Sequence, residues 1–71
     1  MTKYEFVGRM VVDHGCTVAW SFAQDAFIVR RGLYEVDVSV ALIERNTGDV
    51  VSYVLGALDE AWQHNVKHVT L

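Results

Sequence analysis

The clearest periodic pattern in the chain covers residues 49–64. Apolar side chains recur there at three- and four-residue spacing and, placed 100° apart, share about 160° of arc. These residues are Val50, Val51, Val54, Leu55, Ala57, Leu58, Ala61 and Trp62. The pattern predicts an amphipathic helix from Asp49 to His64, with Thr47 or Asp49 as its N-cap and Asn65 ending it in the left-handed conformation. If the whole stripe is buried, Trp62→Ala should cost about 3–5 kcal/mol.

The N-terminal part of the chain alternates with a period of two. Tyr4, Phe6, Gly8, Met10 and Val12 fall on one side of an extended segment, which predicts a first strand over Tyr4–Val12. Asp13-His14-Gly15 then supplies a turn, and alternation resumes over Cys16–Ala23. These two segments are predicted to form a hairpin.

The middle of the chain predicts two further strands. Phe27–Arg31 is a short strand, Gly32 turns the chain, and Tyr34–Ile43 alternates most regularly of all. Val66–Leu71 alternates weakly and is expected to add a short edge strand. A competing interpretation makes residues 17–31 a helix, because Ser21 and Gln24 have capping-box spacing and Gly32 follows two arginines. We favour strands, since residues 17–31 form no single apolar stripe on a helical wheel.

These elements predict one α+β domain over residues 1–71. Its expected architecture is an antiparallel sheet of about four strands in a meander, packed by one long C-terminal helix. The alternative, with residues 17–31 helical, is a two-helix sandwich that contains a βαβ unit. One helix about 10 Å wide covers roughly half of a four-stranded sheet. We therefore expect the rest of the apolar face to be covered by a second copy or by another protein.

Composition narrows the class of protein. The chain has 71 residues, 52% of them hydrophobic, a formal charge of -3 and a single cysteine, Cys16. A small domain with this much apolar material is expected to associate. The acidic balance makes nucleic acid an unfavoured partner, and the absence of an apolar run of about 18 residues predicts no membrane span. One cysteine cannot form an internal disulfide, so we expect a cytoplasmic protein.

Charge is distributed unevenly along the chain. Residues 1–33 carry four basic and three acidic side chains, a charge of +1, whereas residues 34–71 carry two basic and six acidic, a charge of -4. Acidic side chains of the second half could steer docking on a basic protein. The charged residues that we single out as candidates for partner binding are Glu35, Asp37, Asp59, Glu60, Arg30 and Arg31.

Motifs for catalysis are missing from the sequence. Neither GxGxxG nor GxxxxGK[ST] occurs, and Asp59 and Glu60, as neighbours on a helix, point about 100° apart. His14 and Cys16 could form a nucleophile pair but have no orienting third group. We predict no enzyme activity and no cofactor. The alternative is a small metal- or ligand-binding protein using the His14/Cys16 turn and His64, although the spacing of a structural zinc site is absent.

The leading hypothesis is a small non-enzymatic module that binds another protein. It would act as a regulator, inhibitor or assembly subunit and would itself form a homodimer or larger homo-oligomer. Short acidic chains of this kind are common among inhibitors encoded by phages and mobile elements, which is an analogy of class and not of motif. A third hypothesis, stacking of single-stranded nucleic acid on Trp20, Phe22 and Tyr34, lacks a basic groove.

Overall fold

The fold is α+β, as expected: a four-stranded sheet with the long C-terminal helix packed against it. A computed structural model describes residues 1–45 and 48–71. The elements in chain order are α1 (Lys3–Gly8), a π-helical segment (Arg9–Asp13), β1 (Thr17–Ser21), β2 (Ala26–Arg31), β3 (Tyr34–Ser39), α2 (Val40–Arg45), α3 (Val50–His64) and β4 (His68–Thr70). The strand order is β1-β2-β3-β4. No helix among the described residues is long and apolar enough to cross a membrane.

The first three strands form an antiparallel meander, and β4 joins β3 in parallel. Gly32, with φ of 64°, turns β2 into β3, where a left-handed conformation favours glycine. The final edge strand is therefore confirmed, and the helical alternative for residues 17–31 is wrong. The strand predicted over Cys16–Ala23 is shorter, because the chain turns at Phe22–Asp25 to pair β1 with β2.

The predicted strand over Tyr4–Val12 is wrong. This segment is helical: the Thr2 hydroxyl accepts a hydrogen bond from the Glu5 amide, and the helix runs on through the π-helical segment. Phe6 and Met10 are both fully buried. A separation of four places two residues on the same side of a strand and also on the same side of a helix. The apolar spacing is therefore compatible with a strand and with a helix. The turn at residues 13–15, expected to belong to a hairpin, instead connects the helical N-terminal segment to β1.

The strand predicted over Tyr34–Ile43 ends earlier than expected, at Ser39. The Ser39 hydroxyl accepts a hydrogen bond from the Leu42 amide at 3.1 Å, which caps the short helix α2. Ile43, predicted to lie on a strand, is instead a fully buried residue of α2.

Helix α3 agrees closely with its prediction. Asp49 caps it by accepting the Ser52 amide at 3.1 Å, and Asn65 ends it at φ 53°. Thr47, the other candidate cap, lies outside the described residues. Trp62 is the exception within the predicted stripe, since its side chain is 67% exposed. It lies at one border of the buried arc, next to the half-buried Leu55, so the burial of Trp62 on which the predicted cost of Trp62→Ala depends is wrong.

The core lies between the sheet and a helical layer on one face. The fully buried side chains come from α1, α2 and α3 as well as β2 and β3, for example Phe6, Ile43, Leu58, Val29 and Val36. The expectation that a single helix would leave half of the apolar face uncovered is therefore wrong, because α1, the π-helical segment and α2 cover the remainder. The other face of the sheet has no helix on it among the described residues.

Candidate functional site

Aromatic side chains gather where α1 lies beside the edge strand β1 and its neighbour β2. Tyr4 and Val7 of α1 lie beside Trp20 and Phe27, and these residues with Lys3 line a concavity of about 360 Å³. Phe22, just beyond the end of β1, extends the group. We call the set Tyr4, Val7, Trp20, Phe22 and Phe27 the aromatic surface.

The rings of the aromatic surface are ordered against one another. The Trp20 ring contacts the Phe27 ring edge-on, with centroids 4.9 Å apart, and the Phe22 ring in a T-shaped arrangement at 6.1 Å. Such edge-to-face pairs are preferred because the positive rim of one ring meets the negative face of the other. Tyr4 is nevertheless 78% exposed and Phe22 is 89% exposed. Tyr4 and Phe22 therefore present most of their side-chain surface to solvent beside the packed Trp20 and Phe27 rings.

A free edge of the sheet lies directly beside this surface. Strand β1 pairs only with β2 among the described residues, so its outer side presents unpaired backbone groups. The strand contains no charged residue and no proline. Trp20 belongs both to this edge strand and to the aromatic surface, so the two features form one continuous region.

The six charged candidates for partner binding do not form one surface. Arg30, Glu35 and Asp37 lie on the open face of the sheet, whereas Arg31 and Asp59 form an ion pair between β2 and α3 on the helical side. Glu60, the sixth, lines a groove of about 530 Å³ between α3 and β4, together with small residues such as Gly56 and Ala57.

Two carboxylates of the open face are bound by a histidine of β4. The Nδ1 atom of His68 lies 2.7 Å from Glu35, and its Nε2 atom lies 2.9 Å from Asp37. Hydrogen bonds to both carboxylates raise the pKa of His68 above its ordinary value, since only the protonated ring carries a hydrogen on each nitrogen. The Arg30 guanidinium lies 3.5 Å from the other carboxylate oxygen of Glu35.

Asp37 itself is buried, and its Oδ1 atom has no hydrogen-bond partner among the described residues. This cluster of Arg30, Glu35, Asp37 and His68 joins the last strand to the sheet. Its acidic members are therefore engaged within the chain and are not presented as free charges.

The residues of the alternative metal site are separated. Cys16 is buried at the start of β1 and its thiol donates to the His14 carbonyl oxygen at 3.8 Å, whereas His64 ends α3, whose chain continues to the opposite edge of the sheet. Burial raises the pKa of the Cys16 thiol, which disfavours the thiolate that metals and nucleophilic chemistry require. Among residues 1–45 and 48–71, no three His, Cys, Asp or Glu side chains are placed to hold a metal ion.

Sequence reasoning missed the aromatic surface as a unit. Trp20 and Phe22 were considered only as nucleic-acid stacking platforms, and Tyr4 was assigned to a strand. The missing signal was the pair Thr2 and Glu5, whose capping-box spacing marks the start of α1 and so places Tyr4 on a helix. The chain matches no protein-family model, no curated protein and no solved structure.

Proposed function

We propose that this chain is a small non-enzymatic module that acts by binding another protein, as a regulator, inhibitor or assembly subunit, and that it self-associates. The observation that carries the proposal is the aromatic surface, in which Tyr4 and Phe22 are largely exposed beside the free edge of β1. Aromatic residues dominate the energetically important positions of protein interfaces, because they bury a large area at a small cost in side-chain entropy.

The geometry favours protein over nucleic acid as the partner. Among residues 1–45 and 48–71, Lys3 is the one cationic side chain lining the concavity of the aromatic surface, and its ammonium group lies 5.5 Å from the centroid of the Tyr4 ring. Binding of a phosphate backbone calls for a row of cations, since affinity comes mainly from displaced counterions. Tyr34, the third proposed stacking residue, lies opposite Arg31 at the other end of the strands from Trp20, and its hydroxyl donates a hydrogen bond to Asn65.

The proposal is tested by removing the exposed rings without touching the core. The double variant Tyr4→Ser/Phe22→Ser changes two exposed side chains, and Leu33→Ser is a matched control, because Leu33 is 70% exposed in the β2–β3 turn at the other end of β2. Tagged wild type and both variants are used as baits in extracts of the source cells. The affinity of the captured protein, once purified, is then measured by calorimetry.

We expect the wild type and Leu33→Ser to bind with equal affinity and the double variant to bind at least tenfold more weakly. Equal affinity for all three chains would exclude the aromatic surface as the binding site. If the wild-type chain captured no protein and also stayed monomeric at high concentration, the proposed function itself would be wrong.

A further inference from the structure

The two edges of the sheet differ in how they are protected against pairing with another strand. Strand β4 has only three residues, and Lys67 and the charged His68 cluster flank it. Short length and charged side chains are devices that prevent an edge strand from pairing with another chain. Strand β1 has five residues, Thr17–Ser21, with neither a charge nor a proline. It is the unprotected edge.

The sequence of β1 is complementary to itself when two copies run antiparallel about Ala19. In that register Val18 of one copy lies opposite Trp20 of the second copy, and Thr17 lies opposite Ser21. An apolar side chain meets an apolar one, and a hydroxyl meets a hydroxyl, which are favourable cross-strand pairs. At the centre the two Ala19 residues face each other, and Ala19 is exposed and small.

We propose that the edge of β1 binds a second copy of this chain, antiparallel, with Ala19 opposite Ala19 on the two-fold axis. This inference rests on the proposed function and specifies how the self-association proposed there occurs. Pairing in this register joins two four-stranded sheets into one of eight strands. The contact is isologous, so it closes as a dimer and leaves the protected β4 edges outermost.

Apolar side chains close to this edge add to the surface area that the paired strands bury. A stable interface buries about 1,200–2,000 Å² in total, more than five paired residues supply. Val11 and Val12 are exposed on the π-helical segment that packs against β1, and Phe22 is exposed at the other end of the strand. These side chains, with half-buried Val18 and Trp20, supply the apolar area that accompanies the backbone pairing.

The register is tested with a pair of opposite charges at the two-fold axis. Ala19→Lys places two lysines directly opposite each other in the dimer, and Ala19→Glu places two glutamates there. Both changes are at an exposed position, so neither removes a buried contact of the monomer. Ala41→Lys is a matched control, since Ala41 is an exposed alanine of α2, outside this edge. Dissociation constants come from light scattering and sedimentation equilibrium over a range of concentrations.

We expect the wild type and Ala41→Lys to have twice the 8.0 kDa mass of one chain and the same dissociation constant. Each Ala19 variant alone should dissociate more readily, by up to about fivefold, the size of a like-charge pair across two strands. An equimolar mixture of Ala19→Lys and Ala19→Glu should recover the dimer. A monomeric wild type, an Ala19→Lys dimer as tight as the wild type, or a mixture no tighter than its components would overturn the proposal.

Amide exchange of the wild type gives a second test that needs no variant. On dilution below the dissociation constant, outward-facing amides of β1 should lose protection while those of β3 keep it. Loss of protection elsewhere, with none in β1, would also contradict the proposal. Failure here is distinguishable from failure of the proposed function, because capture by the aromatic surface is measured separately with Tyr4→Ser/Phe22→Ser and a captured protein of different sequence.

Discussion

The β1 half and the β4 half of the sheet are built differently. On the β1 half, α1 and the π-helical segment cover the apolar face, but aromatic side chains remain exposed and the edge strand is uncharged. On the β4 half, α3 covers the face and polar contacts hold the short last strand in place. His68 binds Glu35 and Asp37, and the Lys67 ammonium lies 2.9 Å from Asn65 and over the Tyr34 ring.

The difference separates stability from association. The short edge strand of the β4 half is bordered by charged side chains that are paired within the chain, although Tyr53 and Trp62 of α3 remain exposed there. The β1 half combines a fully buried core with exposed apolar side chains, the surface feature on which the proposed binding role rests. Variants that act on one half and not on the other should therefore show which half stabilises the fold and which mediates binding.

The largest effect is expected beneath the β1 half. Phe6→Ala removes a fully buried ring between α1 and the sheet and should lower the free energy of unfolding by about 3–5 kcal/mol, a large part of the stability of a small domain. Tyr4→Ala, two residues earlier and exposed, should change it by less than about 0.5 kcal/mol. Urea unfolding followed by tryptophan fluorescence compares the two. Similar losses would show that α1 does not separate a buried side from an exposed one.

On the β4 half, α3 should give an almost equally sharp contrast. Leu58→Ala should cost about 2–5 kcal/mol, because Leu58 is fully buried. Trp62→Ala, one turn further along, should cost less than about 1 kcal/mol, since the Trp62 side chain faces solvent. Circular dichroism during denaturant unfolding measures both. A large loss for Trp62→Ala would mean that another molecule, such as a second copy, covers this ring.

The His68 cluster should make the β4 half sensitive to pH. Because the pKa of His68 is raised in the folded chain, its stabilising effect is fully present below its ordinary pKa of about 6.5 and is lost as pH rises through the raised folded value. His68→Ala should cost about 1 kcal/mol at pH 5.5, because Asp37 is left without a donor. At pH 8.5 the difference should shrink.

The measurement is the melting temperature of the wild type and of His68→Ala at several pH values. His14→Ala is the matched control, since it removes an exposed histidine outside this cluster. A difference between wild type and His68→Ala that stays constant from pH 5.5 to 8.5 would contradict the role given to the protonated ring.

The smallest effect is expected to be stabilising. Gly56→Ala adds a methyl group on α3 that meets no atom within 4 Å, so it gains helix propensity of up to about 1 kcal/mol without a clash. Because the change lies on the β4 half, the dissociation constant of the dimer and the affinity for a partner protein should stay the same. A loss of dimer or of partner binding in this variant would place the interface in the groove between α3 and β4 instead of at β1.

Three elements show how far the secondary structure could be predicted from the sequence. Helix α3 was predicted to within a residue, because fifteen residues of consistent period and two caps leave no other structure that satisfies them. The β2–β3 hairpin followed from alternation and from Gly32. Helix α1 and the π-helical segment were missed because their buried residues, Phe6 and Met10, are four apart, a spacing that strands and helices share.

The candidate site was predicted less well than the fold. Most of the charged residues chosen as binding candidates are paired within the chain, for example Asp59 with Arg31 and Asp37 with His68. Sequence lists charges but not their partners, since these ion pairs join residues about 30 positions apart. The exposed aromatic residues were visible in the composition, but their gathering around Trp20 depends on where α1 packs.

The sequence by itself determined the local elements of this protein: the period and caps of α3, the turn at Gly32, and an apolar content large enough to suggest association. Only the tertiary structure decided which apolar residues stay exposed, that β4 joins in parallel, and that β1 is left as the free edge. The physical reason is that periodicity specifies which side of an element is apolar. Which other element covers that side, and how far the cover extends, depends on packing between distant parts of the chain.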